Sequence, residues 1–343
     1  MAVVVALDWT PNTNHVGFYV AKAKGLYAAK GLDVTFISPH TDDYKATPAS
    51  RVESGEATFA ITPSESVISY NTWPEADKKR PKLQAVAALL QQDTSAVVTL
   101  KASGIDRPAK LEGKRYASYA ARYEGRIVQS LIKNDGGSGE YQELVLPMLG
   151  LWNTLLQGEA EATWVFMGWE GVEAARKGVE LNVFKLGDYN IAYGYSPVLL
   201  THPDTLSSSP DTVRTFLAGT AEGYRWAAAH PEEAADMFAE LAAAENPGLP
   251  QPLDRGMCRD SMQLVVQHLL AEDGRWGVMK QSRWDAFLDW LSESGLLTTK
   301  VQSRNGKDGV TTSLDGLRSG NCGERIPRDA ISSGSLFTND FLP

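Results

Sequence analysis

At 343 residues the chain is longer than one hydrophobic core usually supports, so two lobes are expected. Its 43% hydrophobic and 22% charged residues, with 9 Trp and 12 Tyr, describe a well-packed globular protein and exclude a disordered or fibrous one. The formal charge of −9, without any dense Lys/Arg cluster, excludes nucleic acid as a partner, and no run of about 18 apolar residues is available for direct membrane insertion.

The opening MAVVVALDW holds a short β-branched strand, and residues 16–30 then carry a helical period that sets Phe18, Ala21 and Ala29 within reach of one face, closed by Gly31. LDVTFISP, a helix near residues 49–53 and ATFAITP follow, an order of elements that implies a mainly parallel sheet covered by helices. A second cycle has QAVAALL, SAVVTL and RYASYA as strands and YEGRIVQSLIKNDGG as a helix ended by Gly136 and Gly137. LWNTLLQGEAEATWVFMGWEGVEAARKG reads as helix, strand, helix, and NVFKLG and YSPVLLTH add strands. From Pro210 the character changes to four amphipathic helices over residues 212–297, with Pro231 at a first helical position. The polar, glycine-rich stretch KVQSRNGKDGVTTSLDGLRSGNCGERIP is expected to be a surface excursion before the final LFTNDFLP.

Two α/β cycles, a return and a helical C-terminal extension give a discontinuous lobe one of residues 1–95 plus 190–343, and a lobe two of residues 96–189. The cleft between them lies at the carboxyl ends of the strands, where open α/β sheets bind ligands. Four strand-to-helix junctions reach that cleft. In LDWTPNTNH, Trp9 offers an aromatic plate, and Asn12 and His15 offer hydrogen bonds, although helix capping and surface exposure account for the polar pair equally well. Past ATFAIT, Ser64, Glu65 and Ser66 suit a polar ring or a helix cap. Tyr119, Tyr123 and Glu124 sit in the YAARYEGRI turn, where Gly125 permits close backbone approach and Glu124 favours a neutral or cationic ligand over an anion. Trp164, Trp169 and Glu170 end the lobe-two strand; core packing is the ordinary fate of each Trp, yet Trp9 and Trp169 from opposing lobes can sandwich a planar ring, and a carboxylate can pair with an aminopyrimidine edge. Tyr193, on the return to lobe one, completes the set.

The stretch LDWTPNTNH with AKAKGLYAAKGLDV after it resembles the start of the fungal thiamine-pyrimidine synthases and of their relatives, the bacterial, SsuA-like receptors for thiamine-pyrimidine precursors. The similarity continues through ATFAITPSESVISY, YGYSPVLLTHPDTL and LFTNDFLP. It implies an α/β, two-lobed, periplasmic-binding-protein-like (type II) fold, a pyrimidine-type small-molecule ligand, and a group no larger than a phosphate near the YAARYEGRI turn. The synthases carry a lysine for pyridoxal phosphate and, four residues on, a histidine that is consumed. Thr62 and Ser66 stand at those positions, and residues 53–73 contain neither Lys nor His. The synthases' cysteine cluster is replaced by DYNIAYGYSPV. No nucleophile elbow, phosphate loop or zinc-binding helix occurs.

The reading is therefore a binding protein for a thiamine-related pyrimidine, using no cofactor and no metal, with a divergent synthase, or a flavin or sulfonate ligand, as alternatives. Cys258 and Cys322 have no Cys or His at metal-ligand spacing, and whether they pair is left open. The opening lacks the features of a secretory leader, which implies a cytoplasmic location as given, or a periplasmic or extracellular one, with a membrane permease as partner, if a leader has been removed.

Overall fold

Two five-stranded sheets, each drawn from a different part of the chain, organise the computed structural model, which describes residues 1–73, 80–249, 253–302 and 311–343. The first contains β1 (Ala2–Ala6), β2 (Asp33–Ile37), β3 (Phe59–Thr62) and β4 (Gln84–Ala88), interleaved with α1 (Val16–Ala23), α2 (Pro48–Glu53) and α3 (Ser64–Asn71). The second contains β5 (Ser95–Leu100), β6 (Arg115–Ser118), β7 (Gln142–Val145), β8 (Ala162–Phe166) and β9 (Leu181–Phe184), with α4 (Glu124–Asn134), α5 (Leu151–Leu156) and α6 (Glu170–Arg176). The chain then returns as β10 (Val198–Thr201) into the first sheet, whose order is β2-β1-β3-β10-β4; the second runs β7-β6-β8-β5-β9.

Both sheets are mixed rather than mainly parallel. β10 runs antiparallel to β3 and β4, and β5 runs antiparallel to β8 and β9. The antiparallel members, β5 and β10, are those reached by the two crossovers, where the chain enters one sheet or re-enters the other without an intervening α-helix.

Beyond β10 come α7 (Pro203–Ser208), α8 (Pro210–Ala229), α9 (Pro231–Glu245), α10 (Arg255–Val265) and α11 (Gln281–Glu293). The helix expected over residues 16–30 ends early: Gly25 takes a φ of 68°, a short 3₁₀ turn follows at Ala28–Lys30, and Ala29 is exposed rather than on the buried face. Helices α1 and α8 cross at two glycines. A Cβ on Gly223 would lie 2.1 Å from the Gly17 carbonyl oxygen, and one on Gly17 would enter the Tyr224 ring, so glycine is required for this approach. β1 alternates, with Val3 and Val5 in the cluster under α1 and α8 and Ala6 in the cluster on the other face.

The polar excursion is not a free surface loop where it is described. β11 (Val301–Gln302), β12 (Thr311–Thr312) and α12 (Leu314–Arg318) reach the second sheet's side: Gln302 N donates to the Arg122 carbonyl at 3.0 Å, and the Arg318 guanidinium lies 4.8 Å from the Tyr141 ring. Residues 303–310 of the excursion lie outside the described residues. Cys258 is buried in α10 and Cys322 is partly exposed, both as free thiols. No helix among the described residues is long and apolar enough to cross a membrane.

Candidate functional site

The strand-to-helix junctions converge. β1, β3, β6 and β8 all end at one cleft, which places Trp9, Pro63, Tyr119 and Phe166 around a cavity of about 760 Å³, its open mouth included.

Aromatic rings make up much of the wall. Trp9 meets the edge of Tyr119 with centroids 5.4 Å apart, and Tyr44 at 6.3 Å. Trp164 packs on Tyr193 at 5.5 Å, and Tyr193 on Phe287 at 5.2 Å. Phe166 and Met148 add apolar surface. The first sheet's side thus supplies Trp9, Tyr44 and Tyr193, and the second's supplies Tyr119 and Trp164.

Set into this wall are carboxylates, and none of the residues lining the cavity is Lys, Arg or His. Glu65, 2% exposed, accepts from the Tyr193 hydroxyl and from the Tyr123 backbone N–H at 2.9 Å. Burial pushes its carboxyl above the ordinary value. Glu124, 1% exposed, accepts from the Tyr116 hydroxyl at 2.7 Å, the Tyr119 N–H at 3.1 Å and the Ala121 N–H at 2.9 Å, and burial raises it to about 7. Glu170 opens α6 and accepts from the Phe166 N–H at 3.1 Å; burial, with a smaller contribution from Asp8, also raises it to about 7. Such a box favours a planar ring that donates hydrogen bonds, neutral or cationic, over an anion.

Asn12 and His15, expected among the ligand contacts, sit behind the wall. The TPNTNH turn forms a 3₁₀ helix capped by the Asn12 side chain, which turns His15 inward. His15 Nδ1 accepts from the Asn12 N–H at 3.3 Å, so its Nε2 carries the proton and donates to Asp8 Oδ1 at 2.7 Å. Asp8 lines the cavity, and the buried imidazole fixes it there. Ser64 is also buried behind the wall, as the first residue of α3 after Pro63 rather than as its cap. The ring of Tyr123 joins the core, and only its backbone N–H serves the site, through Glu65.

Trp169 does not oppose Trp9 within this cavity. It lines an adjoining outer chamber that shares Trp9 and Glu170, and it packs on Phe238 at 6.4 Å. Trp169 precedes α6, one turn beyond the strand end occupied by Phe166, and so leans toward the helical extension. Ser66 lines a second adjoining chamber.

Tyr44 and Ala120 were not singled out from the sequence. Asp43, Tyr44 and Ala120 have φ values of 53°, 59° and 52°, left-handed backbone that these side chains seldom adopt. The Tyr44 hydroxyl donates to the Asp8 carbonyl at 2.6 Å, which ties its loop to the segment after β1, and Ala120 N–H donates to Ser118 Oγ at 2.9 Å within its own turn. Strain concentrated at a cavity is a mark of function. No composition signal in PHTDDYKAT betrays it.

Three comparisons bear on this geometry. The sequence profile of a family described as "NMT1/THI5 like" matches residues 12–234. A formylaminopyrimidine-binding protein of Halalkalibacterium halodurans is 23% identical over 310 residues, covering 90% of each chain, and the riboflavin-binding protein RibY of Chloroflexus aurantiacus is 25% identical over 314 residues, covering 87% of this chain and 82% of its own. The alkanesulfonate-binding protein SsuA of Xanthomonas axonopodis pv. citri, solved bound to MOPS, superimposes with a TM-score of 0.62 at 12% identity, over 91% of this chain and 98% of its own, a likeness of fold.

Proposed function

Because the chain belongs to the NMT1/THI5-like family, whose profile spans most of its two sheets, we propose that it binds a small thiamine-related pyrimidine precursor reversibly in the cleft. The observation that carries this reading is the aromatic box with Glu65, Glu124 and Glu170 in its walls and no cationic residue lining it. A pyrimidine ring stacks on Trp9 while its exocyclic amine donates to a carboxylate. Asp8, fixed by His15, faces the same ligand. The formylaminopyrimidine-binding relative supports this ligand class.

The cleft is read as closing by movement of lobe two, residues 96–189, against residues 1–95 and 190–343 about the two crossovers. Export from the cell and a membrane permease would complete a transport role, and cell fractionation tests the first of these. A flavin is the second reading, favoured by the riboflavin-binding relative. Pyridoxal phosphate chemistry of the synthase kind does not fit: Thr62, at the position of the synthases' lysine, is a buried threonine, and neither β3 nor α3 supplies an amine.

The test is a thermal-shift screen followed by calorimetry with an aminopyrimidine, riboflavin and an alkanesulfonate. The account expects the aminopyrimidine to stabilise the protein by about 2.7 kcal/mol at one hundred times its dissociation constant. Binding of the sulfonate alone contradicts it.

A further inference from the structure

Arg283, on α11, lies beyond the residues matched by the family profile and lines neither the aromatic box nor either adjoining chamber. It is nevertheless the point where the two crossovers between the sheets meet. One end of its guanidinium donates to the Gln91 carbonyl, in the segment between β4 and β5, and the other donates to the Gly194 carbonyl at 2.9 Å, in the segment between β9 and β10. The group also lies 4.3 Å over the Tyr195 ring. Tyr195 is held in turn, its hydroxyl accepting from the Lys280 N–H and its carbonyl from the Ser64 N–H, both at 2.9 Å.

A cation is a costly way to pack such a junction. Burial pulls the Arg283 guanidinium below the ordinary arginine value; among the described residues no carboxylate pairs with it, and Asp93 of the first crossover acts on it only at longer range. Apolar side chains would fill the place at lower cost, so geometry accounts for the charge better than stability does: a planar fork of N–H donors holds two carbonyls at a set separation. Gly194 fits the same reading. A Cβ there would lie 2.3 Å from Ser64 Oγ and 2.8 Å from the Phe287 ring, so the second crossover is gripped between α3 and α11. Phe287 stands one turn after Arg283 and packs on Tyr193 at 5.2 Å, while Tyr193 reaches the box, donates to Glu65 and lies 5.5 Å from Trp164. One face of α11 therefore sets both the main chain at Gly194 and the ring beside it.

We infer that Arg283 is a positioning residue for binding: it fixes the two crossovers relative to each other and so holds Tyr193, and the lobes on either side, in the arrangement that takes the ligand. The inference rests on the reading that the cleft closes about the crossovers and is independent of which ring the box accepts. Without the fork the crossovers move separately, the competent arrangement is less populated, and apparent affinity falls by that fraction although no ligand contact is lost.

Spin labels on Lys133→Cys in α4 and Glu233→Cys in α9, both exposed positions, with Cys322→Ser removing the partly exposed native thiol, read the distance between the lobes by pulsed electron resonance. In ligand-free protein the distance distribution should be about twice as broad in Arg283→Met as with Arg283 retained, and Arg283→Lys, whose ammonium keeps the charge without the fork, should fall between. By calorimetry the aminopyrimidine should bind Arg283→Met about tenfold more weakly than the wild type and Arg283→Lys about threefold more weakly. Circular dichroism first establishes that each variant is folded; if Arg283→Met does not fold, Arg283→Lys decides by the same two readouts. An unchanged width in the folded variant overturns the inference, and so does weaker binding without broadening, which is the mark of packing lost at one crossover alone. If no pyrimidine binds to the wild type, the ring reading fails separately, and the width of the distribution decides the role of Arg283.

Discussion

Glu65 and Glu124 are both almost wholly buried at the same cavity, yet their hydrogen bonds run in different directions. Glu124 is satisfied within its own loop, by Tyr116, Tyr119 and Ala121, and shapes the turn from β6 into α4. Glu65 stands on α3 under the first sheet and accepts from the backbone of Tyr123, beside the second. One carboxylate builds a wall; the other ties two walls together. A buried carboxylate at a cleft therefore reports its role through the origin of its donors more than through its burial.

Substituting each residue in turn separates the two roles. Glu65→Ala leaves the Tyr193 hydroxyl and the Tyr123 N–H without their acceptor and is expected to destabilise the protein by about 2–4 kcal/mol in urea unfolding, with a larger radius of gyration by X-ray scattering. Glu124→Ala should instead speed amide exchange in the loop around Tyr119 and Ala121 while the radius of gyration stays at the wild-type value. An unchanged radius in both variants would remove the distinction.

Trp9 contributes next. Trp9→Ala should weaken aminopyrimidine binding by about 1–3 kcal/mol, the range that loss of ring stacking costs elsewhere, and Trp9→Phe should retain most of the affinity. Unaltered calorimetric affinity in a folded Trp9→Ala would assign the indole to packing.

The pH dependence follows from Glu124 and Glu170, whose carboxyls are raised by burial to about 7. A carboxyl whose pKa is higher folded than unfolded contributes stability that is complete below its unfolded value, about 4.3, and is lost as pH rises through the folded value. Melting temperature should accordingly fall between about pH 5 and pH 7.5. Glu124→Gln should flatten that fall, and reduce the accompanying loss of unfolding free energy by about 1–2 kcal/mol. A wild-type profile that climbs over this window would contradict the assignment. The smallest effect is expected at Trp169, in the outer chamber: Trp169→Phe should change aminopyrimidine affinity by less than about 0.5 kcal/mol, as suits a residue outside the ring's contacts.

Much of the fold was legible from periodicity. Strands such as VVVA and SAVVTL are too short and too β-branched to be anything else, and α8 and α9 carry amphipathic patterns opened by Pro210 and Pro231. The direction of β5 and β10 was not legible, because strand polarity is set by which sheet edge a crossover reaches, a long-range matter. At the site, residues at strand ends such as Trp9, Glu65 and Trp164 could be found from their junctions. Tyr44 could not, since its place depends on left-handed backbone in a loop of ordinary composition. His15 shows the opposite error. Its chemistry suggested a ligand contact, while the Asn12 cap turns it toward Asp8 and makes it a support.

The most direct test of the ring-binding account is a crystal structure of the protein with an aminopyrimidine. The account predicts the ring against Trp9 in the cavity shared with Tyr119 and Trp164, with its amino group within about 3.2 Å of a carboxylate oxygen of Asp8, Glu65, Glu124 or Glu170. Density for the ring outside this box, or inside it with no carboxylate in reach, would contradict the account.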